Sequence, residues 1–81
     1  MIEENELLEE DRIAMAEAYR AYEMLDENDQ EKIPSDFVNS LLEEGDFTNI
    51  KPFNNKQEVD EYPFSKKAWY LILYMCTFSE V

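Results

Sequence analysis

The chain has one glycine and three prolines in 81 residues, and none of them falls between residues 2 and 27. Glycine and proline are the strongest interrupters of a helix, and the Ala, Glu, Leu and Met that dominate this stretch are good helix formers. One long helix over 2–27 is the expectation. Leu8, Met15, Ala18, Tyr19, Tyr22 and Leu25 return to one face at helical spacing, and Leu7, Ala14 and Ala21 lie beside that stripe and widen it. Asp11 and Arg12 interrupt the stripe, so residues 1–11 are expected to form a helical extension that frays beyond the core. Alternating apolar–polar runs joined by hairpin turns are absent, which argues against a β fold.

Residues 26–30, Asp-Glu-Asn-Asp-Gln, offer side chains that compete with backbone hydrogen bonds and are expected to end the first helix. Pro34 suits the first turn of a second helix over 34–44, with Phe37, Val38, Leu41 and Leu42 as its apolar face. Gly45 follows directly, where a left-handed residue would close the helix, and its position predicts that conformation. Residues 46–64 have no helical period but carry Phe47, Ile50, Phe53, Val59, Tyr62 and Phe64. They are expected to form an ordered extended segment laid across the helices, with a strand-like stretch near 47–50. Ser65 is placed to cap a third helix over 65–80, with Phe64 and Trp69 at the spacing of a hydrophobic staple. Residues 68–76 form an unbroken run of nine apolar side chains, far short of the about 20 that a membrane span needs. A helix apolar on nearly all sides is central or lends one face to a partner. Trp69 is expected in the core and Cys76 as an inert buried thiol. The pattern predicts one all-α domain over 1–81, a small three- to four-helix bundle with a long ordered cross-over segment.

The chain carries 20 acidic against 7 basic side chains, a net charge of −13. The excess is confined to residues 1–46, which hold 16 acidic and 3 basic groups, whereas residues 47–81 hold 4 of each. Concentrated like charge costs folding energy. Either it is a solubilising coat, or it is a face shaped for a basic protein partner. Glu9, Glu10, Asp11 and Glu17 are the candidate residues of that face. Lys66 and Lys67 oppose the helix dipole where they stand and are expected to lean toward the acidic half. Direct nucleic-acid binding needs an excess of Lys and Arg, and anionic lipid attracts basic faces, so neither is expected as a partner. Phe53 and Tyr62 are the candidate loop anchors, since aromatic side chains carry much of the energy of protein interfaces.

The chain has no histidine and a single cysteine. That removes the commonest general base and metal ligand, and any internal disulfide framework. Residues 26–30 superficially match the start of a calcium loop, but Glu31 stands where the turn glycine is needed and Phe37 where the bidentate Glu is needed. Gly-rich phosphate loops are missing. No catalytic residues, no metal site and no cofactor are expected. The acidic start, Met-Ile-Glu-Glu-Asn-Glu, lacks the pattern of a signal peptide, and a cytoplasmic setting is the expectation.

Several short motifs follow in order: Leu25-Asp26, Lys32-Ile33-Pro34, Pro52-Phe53, then Phe64-Ser65 with Ala68 opening an apolar helix. This order, over about residues 18–78, resembles a group of short hypothetical proteins of Firmicutes-type bacteria that pair Lys-Ile-Pro with a Lys-Pro-Leu segment and a Leu-Ser start to a final apolar helix. Phe53 replaces the usual Leu, the segment before Phe64 is longer, and Lys66-Lys67 replace acidic residues. The resemblance implies a helical fold and a bacterial origin; it implies no activity. The resulting expectation is a non-catalytic acidic protein-binding module, in the manner of a DNA-mimic inhibitor of a basic nucleic-acid-handling protein. A self-associating scaffold is the alternative, and an immunity protein or antitoxin would carry the same signature. A monomer is favoured over a dimer.

Overall fold

Four alanines at positions 14, 16, 18 and 21 set the architecture, because a helix with small side chains on several sides can be covered on several sides. In the computed structural model, which describes residues 8–79, they lie in α1 (Glu9–Glu23) and all are buried, together with Glu17. α3 (Ser35–Glu44) and α5 (Lys66–Ser79) both pack against α1, and α2 (Glu27–Lys32) touches α5. α4 (Lys56–Glu61) completes five helices, and no strand occurs among the described residues. The central helix is therefore α1, and α5 lies on its outside. Ala18, Ala21, Ile33, Val38, Leu41 and Met75 form the shared core, flanked by Tyr19, Tyr22, Phe64 and Ile72 among others. The expected helical start before Leu8 lies outside the described residues, and Leu8 itself is exposed.

α1 stops at Glu23, four residues before the expected end. The Met24 N–H bonds back to the Ala21 carbonyl at 3.0 Å, and the Gln30 side chain donates to the Tyr22 carbonyl at 3.1 Å. Residues 26–30 do end α1, but they also start a helix of their own. Glu27 and Asp29 sit in the first turn of α2 and Lys32 in its last, each with the sign the helix dipole favours. The Lys32-Ile33-Pro34 motif is the joint to α3. Proline restricts the residue before it to extended backbone, and Ile33, at φ −91° and ψ 132°, turns its side chain into the core. Pro34 caps α3, its carbonyl accepting from the N–H groups of Phe37 and Val38 at 3.1 and 3.2 Å.

Gly45 is not left-handed: its φ is −71° and ψ 143°. Proximity is what requires glycine here. A Cβ at this position would lie 2.5 Å from the Leu41 carbonyl oxygen, in the last turn of α3 itself, and 3.1 Å from the Ala16 backbone nitrogen on α1, so a side chain would force this end of α3 to shift. The next residues strap onto α1. The Asp46 N–H donates to the Arg12 carbonyl at 3.0 Å, and the Phe47 ring meets Tyr19 edge-on at 5.6 Å beneath the Arg20 guanidinium. Residues 47–50 form a turn, with the Ile50 N–H on the Phe47 carbonyl at 3.3 Å, not a strand-like stretch. The cross-over segment also contains α4. Its one apolar residue, Val59, leaves no period to see. Its cap is the local signal: Asn55 Oδ1 accepts from the Glu58 N–H at 3.0 Å.

Ser65 caps α5 as expected, its Oγ accepting from the Ala68 N–H at 3.1 Å. The Phe64 and Trp69 rings pack edge-to-face at 5.5 Å, the expected staple contact. Among the described residues, no helix is long and apolar enough to cross a membrane.

Candidate protein-binding surface

The four acidic residues expected on one face are divided by the fold. Glu9 and Glu10 are exposed in the first turn of α1. Asp11 is half-buried and forms an ion pair with Lys67 at the start of α5. The hydrogen bond to Asp11, with the charges of Asp11 and Glu10 behind it, holds the Lys67 ammonium above its usual range. The expected lean of the lysine pair toward the acidic half is thus made by Lys67. Glu17 is only 5% exposed and accepts from the Ser65 Oγ at 3.2 Å. It is removed from the exposed acidic face, because it lies three residues after Ala14 and four before Ala21, on the side that α1 buries. Burial first, and then the adjacent Glu17 carboxylate, raise the pKa of the Tyr62 hydroxyl.

Phe53 and Tyr62 come together, with ring centroids at 5.3 Å. Phe64 joins them at 6.0 and 4.7 Å, and Trp69 extends the ring series onto α5. Both expected anchors are half-buried inside this series. They line an open groove of about 460 Å³ with Lys51, Pro52, Glu58 and Glu61. Glu58 is held in place: the Asn54 backbone N–H and side-chain amide reach its two carboxylate oxygens at 2.9 and 3.0 Å. Those bonds lower its pKa.

Among the described residues, four of the six large exposed apolar side chains lie on α5: Trp69 is 47% exposed, Tyr70 65%, Leu73 54% and Tyr74 45%. The exposure of Trp69 corrects the expectation that it lies in the core, and Cys76 is likewise exposed instead of buried. The reason is helix geometry. Ala68 and Met75 are the buried positions, with Leu71 and Ile72 half-buried between them, the i, i+3, i+4, i+7 pattern of one inward stripe. A helix packed on one side of α1 has room for one such stripe. Trp69–Leu73 and Tyr70–Tyr74 are the adjacent i, i+4 rows, and they reach the surface.

The acidic turn of α1 borders this face. Tyr70 lines a hollow of about 310 Å³ with Asp11, Met15, Lys67 and Leu71, so Glu9 and Glu10 stand in the turn next to one end of the aromatic rows. Sequence reasoning named the acidic residues and allowed α5 one face for a partner, without placing that face beside them. The signal was present in the Ala68–Met75 spacing, which marks the inward stripe and thereby the outward one. Among the described residues, no group of three or more Asp, Glu, Cys or His is placed to hold a metal ion. No protein-family model matches the chain, and comparison with curated proteins and with solved structures gives no match.

Proposed function

We propose that the chain is a small, acidic, non-catalytic protein-binding module that docks through α5. The observation that carries this is the exposure of Trp69, Tyr70, Leu73 and Tyr74 on adjacent rows of one helix, beside an acidic turn. Large apolar groups clustered on a surface mark interaction sites, and aromatic residues dominate interface energies. The matching partner is a protein with an apolar patch rimmed by Lys and Arg. A charge of −13 speeds its approach over long range, while burial of the four side chains slows its release. A protein that handles nucleic acid has such a rim, and blocking it would make the chain an inhibitor of the DNA-mimic kind.

Self-association would cover the same face. It is disfavoured because each copy brings a charge of −13, with Glu9 and Glu10 next to the contact. The test is capture on immobilised wild type and on Tyr70→Glu, with light scattering on both. A basic protein kept by the wild type and lost from Tyr70→Glu supports the proposal. A wild-type dimer that Tyr70→Glu dissociates would replace it with the scaffold.

A further inference from the structure

We propose that the groove between the 51–53 segment and α4 holds an arginine side chain from an extended peptide segment of a protein partner. This inference rests on the protein-binding proposal for the source of the peptide. The groove is separate from the α5 face.

The walls fit the two halves of such a side chain. Pro52, Phe53 and Tyr62 supply rigid apolar surface, and the Phe53 ring is fixed by contacts with Tyr62 and Phe64 at 5.3 and 6.0 Å. Aromatic and proline walls of this kind suit extended peptide backbone. A guanidinium stacks on an aromatic face more readily than an ammonium does. Glu58 and Glu61 supply the counter-charge. Glu58 is already oriented by Asn54, at 2.9 and 3.0 Å, so little order remains to be imposed on it. Its depressed pKa keeps it ionised below the usual carboxylate range.

The chain holds one of its own arginines between the same two kinds of group. The Arg20 guanidinium lies 4.8 Å from the centre of the Phe47 ring and bonds Glu23 at 3.0 Å. The groove offers a ring and carboxylates to an incoming arginine in the same way. Lys51 is the one cation among its lining residues. It disfavours a guest of its own sign, and this makes a prediction of opposite direction available: neutralising Glu61 weakens the guest and neutralising Lys51 strengthens it.

The test uses the full chain, labelled with nitrogen-15, and two probes. One is acetyl-Pro-Arg-Pro-amide. The other has citrulline, the uncharged isostere, in place of arginine. Amide shifts are followed at millimolar peptide. The proposal expects the arginine peptide to move the signals of Phe53, Glu58, Glu61 and Tyr62, and the citrulline peptide to move them at least about threefold less. Glu61→Gln should weaken the arginine peptide about threefold and Lys51→Gln should strengthen it by a similar factor, the range for exposed charge pairs. No shift at these residues, equal shifts with both peptides, or variants that leave the affinity unchanged would overturn it. Because the probe replaces the partner, failure here leaves the α5 docking proposal standing. Conversely, an α5 face that captures nothing leaves this result unaffected.

Discussion

The Ser65 hydroxyl donates to the Glu17 carboxylate at 3.2 Å and accepts from the Ala68 N–H at 3.1 Å, so one side chain ties the central helix to the start of α5. Glu17→Ala removes the charged acceptor of the part-buried Ser65 bond, and the expected loss is about 1–3 kcal/mol. Glu17→Lys places a cation at the positive end of α5 beside Lys66 and Lys67, and is expected to abolish folding. Glu9→Lys and Glu10→Lys change stability by no more than about 0.5 kcal/mol, as exposed substitutions do. Denaturant midpoints of the variants measure the difference.

Gly45→Ala tests the close packing at the end of α3, against its own last turn and against α1. The added carbon would meet the Leu41 carbonyl at 2.5 Å, backbone that cannot swing aside. The expected cost is about 1–3 kcal/mol, in the range of an overpacked core, and it should appear as a lower melting temperature. A neutral or stabilising result would mean that the strap over residues 45–47 yields easily.

Trp69→Ala is expected to cost about 1–2 kcal/mol, since roughly half of the side chain is already in water. A fully buried tryptophan would cost about 3–5 kcal/mol. Tyr70→Glu is expected to leave stability within about 0.5 kcal/mol. Urea titrations of both variants decide whether this face is separable from folding.

What could be seen in the sequence was what depends on near neighbours. The α3 and α5 boundaries, the Ser65 cap and the Phe64–Trp69 contact follow from residues at most a few positions apart. The early stop of α1 was hidden because the acids at 26–30 serve both as an end and as a beginning. Gly45 looks like a left-handed stop, but its constraint is steric: the Leu41 carbonyl of its own helix stands closest, and the Ala16 backbone, distant in the sequence, comes next. Glu17 looked like one acid among many. Its position among buried alanines at 14, 18 and 21 was the only sign that it faces inward. Trp69 looks like core from its size, its staple position and the apolar helix around it, although the stripe set by Ala68 and Met75 already occupies the one side of α5 that α1 covers.

Stability should fall at both ends of the pH scale, through different groups. The pKa values of Tyr19, Tyr62 and Lys67 are raised in the folded chain, the tyrosines first by burial and the lysine first by its bond to Asp11. The folded state then holds protons that the unfolded state releases. Their contribution is complete below about pH 10 and is lost as the pH climbs through the raised values. Asp46, bonded by Thr48, and Glu58, bonded by Asn54, have lowered values, so their contribution is present above about pH 4 and is lost on further acidification. Melting temperatures across the alkaline range, with Lys67→Met as the control, check the first half. A variant that melts with the wild-type alkaline profile would show that the Asp11 contact has no part in it.

Trp69 is the only tryptophan in the chain, and it lies in the face proposed to carry binding. The most direct measurement is fluorine-19 NMR of the chain labelled with 5-fluorotryptophan, titrated with the basic protein that capture identifies. The account predicts one resonance that shifts or broadens as the complex forms and loses its sensitivity to exchange of water for heavy water, as the half-exposed ring is covered. A resonance that keeps its position and its solvent sensitivity, while light scattering reports a saturated complex, would contradict docking through α5.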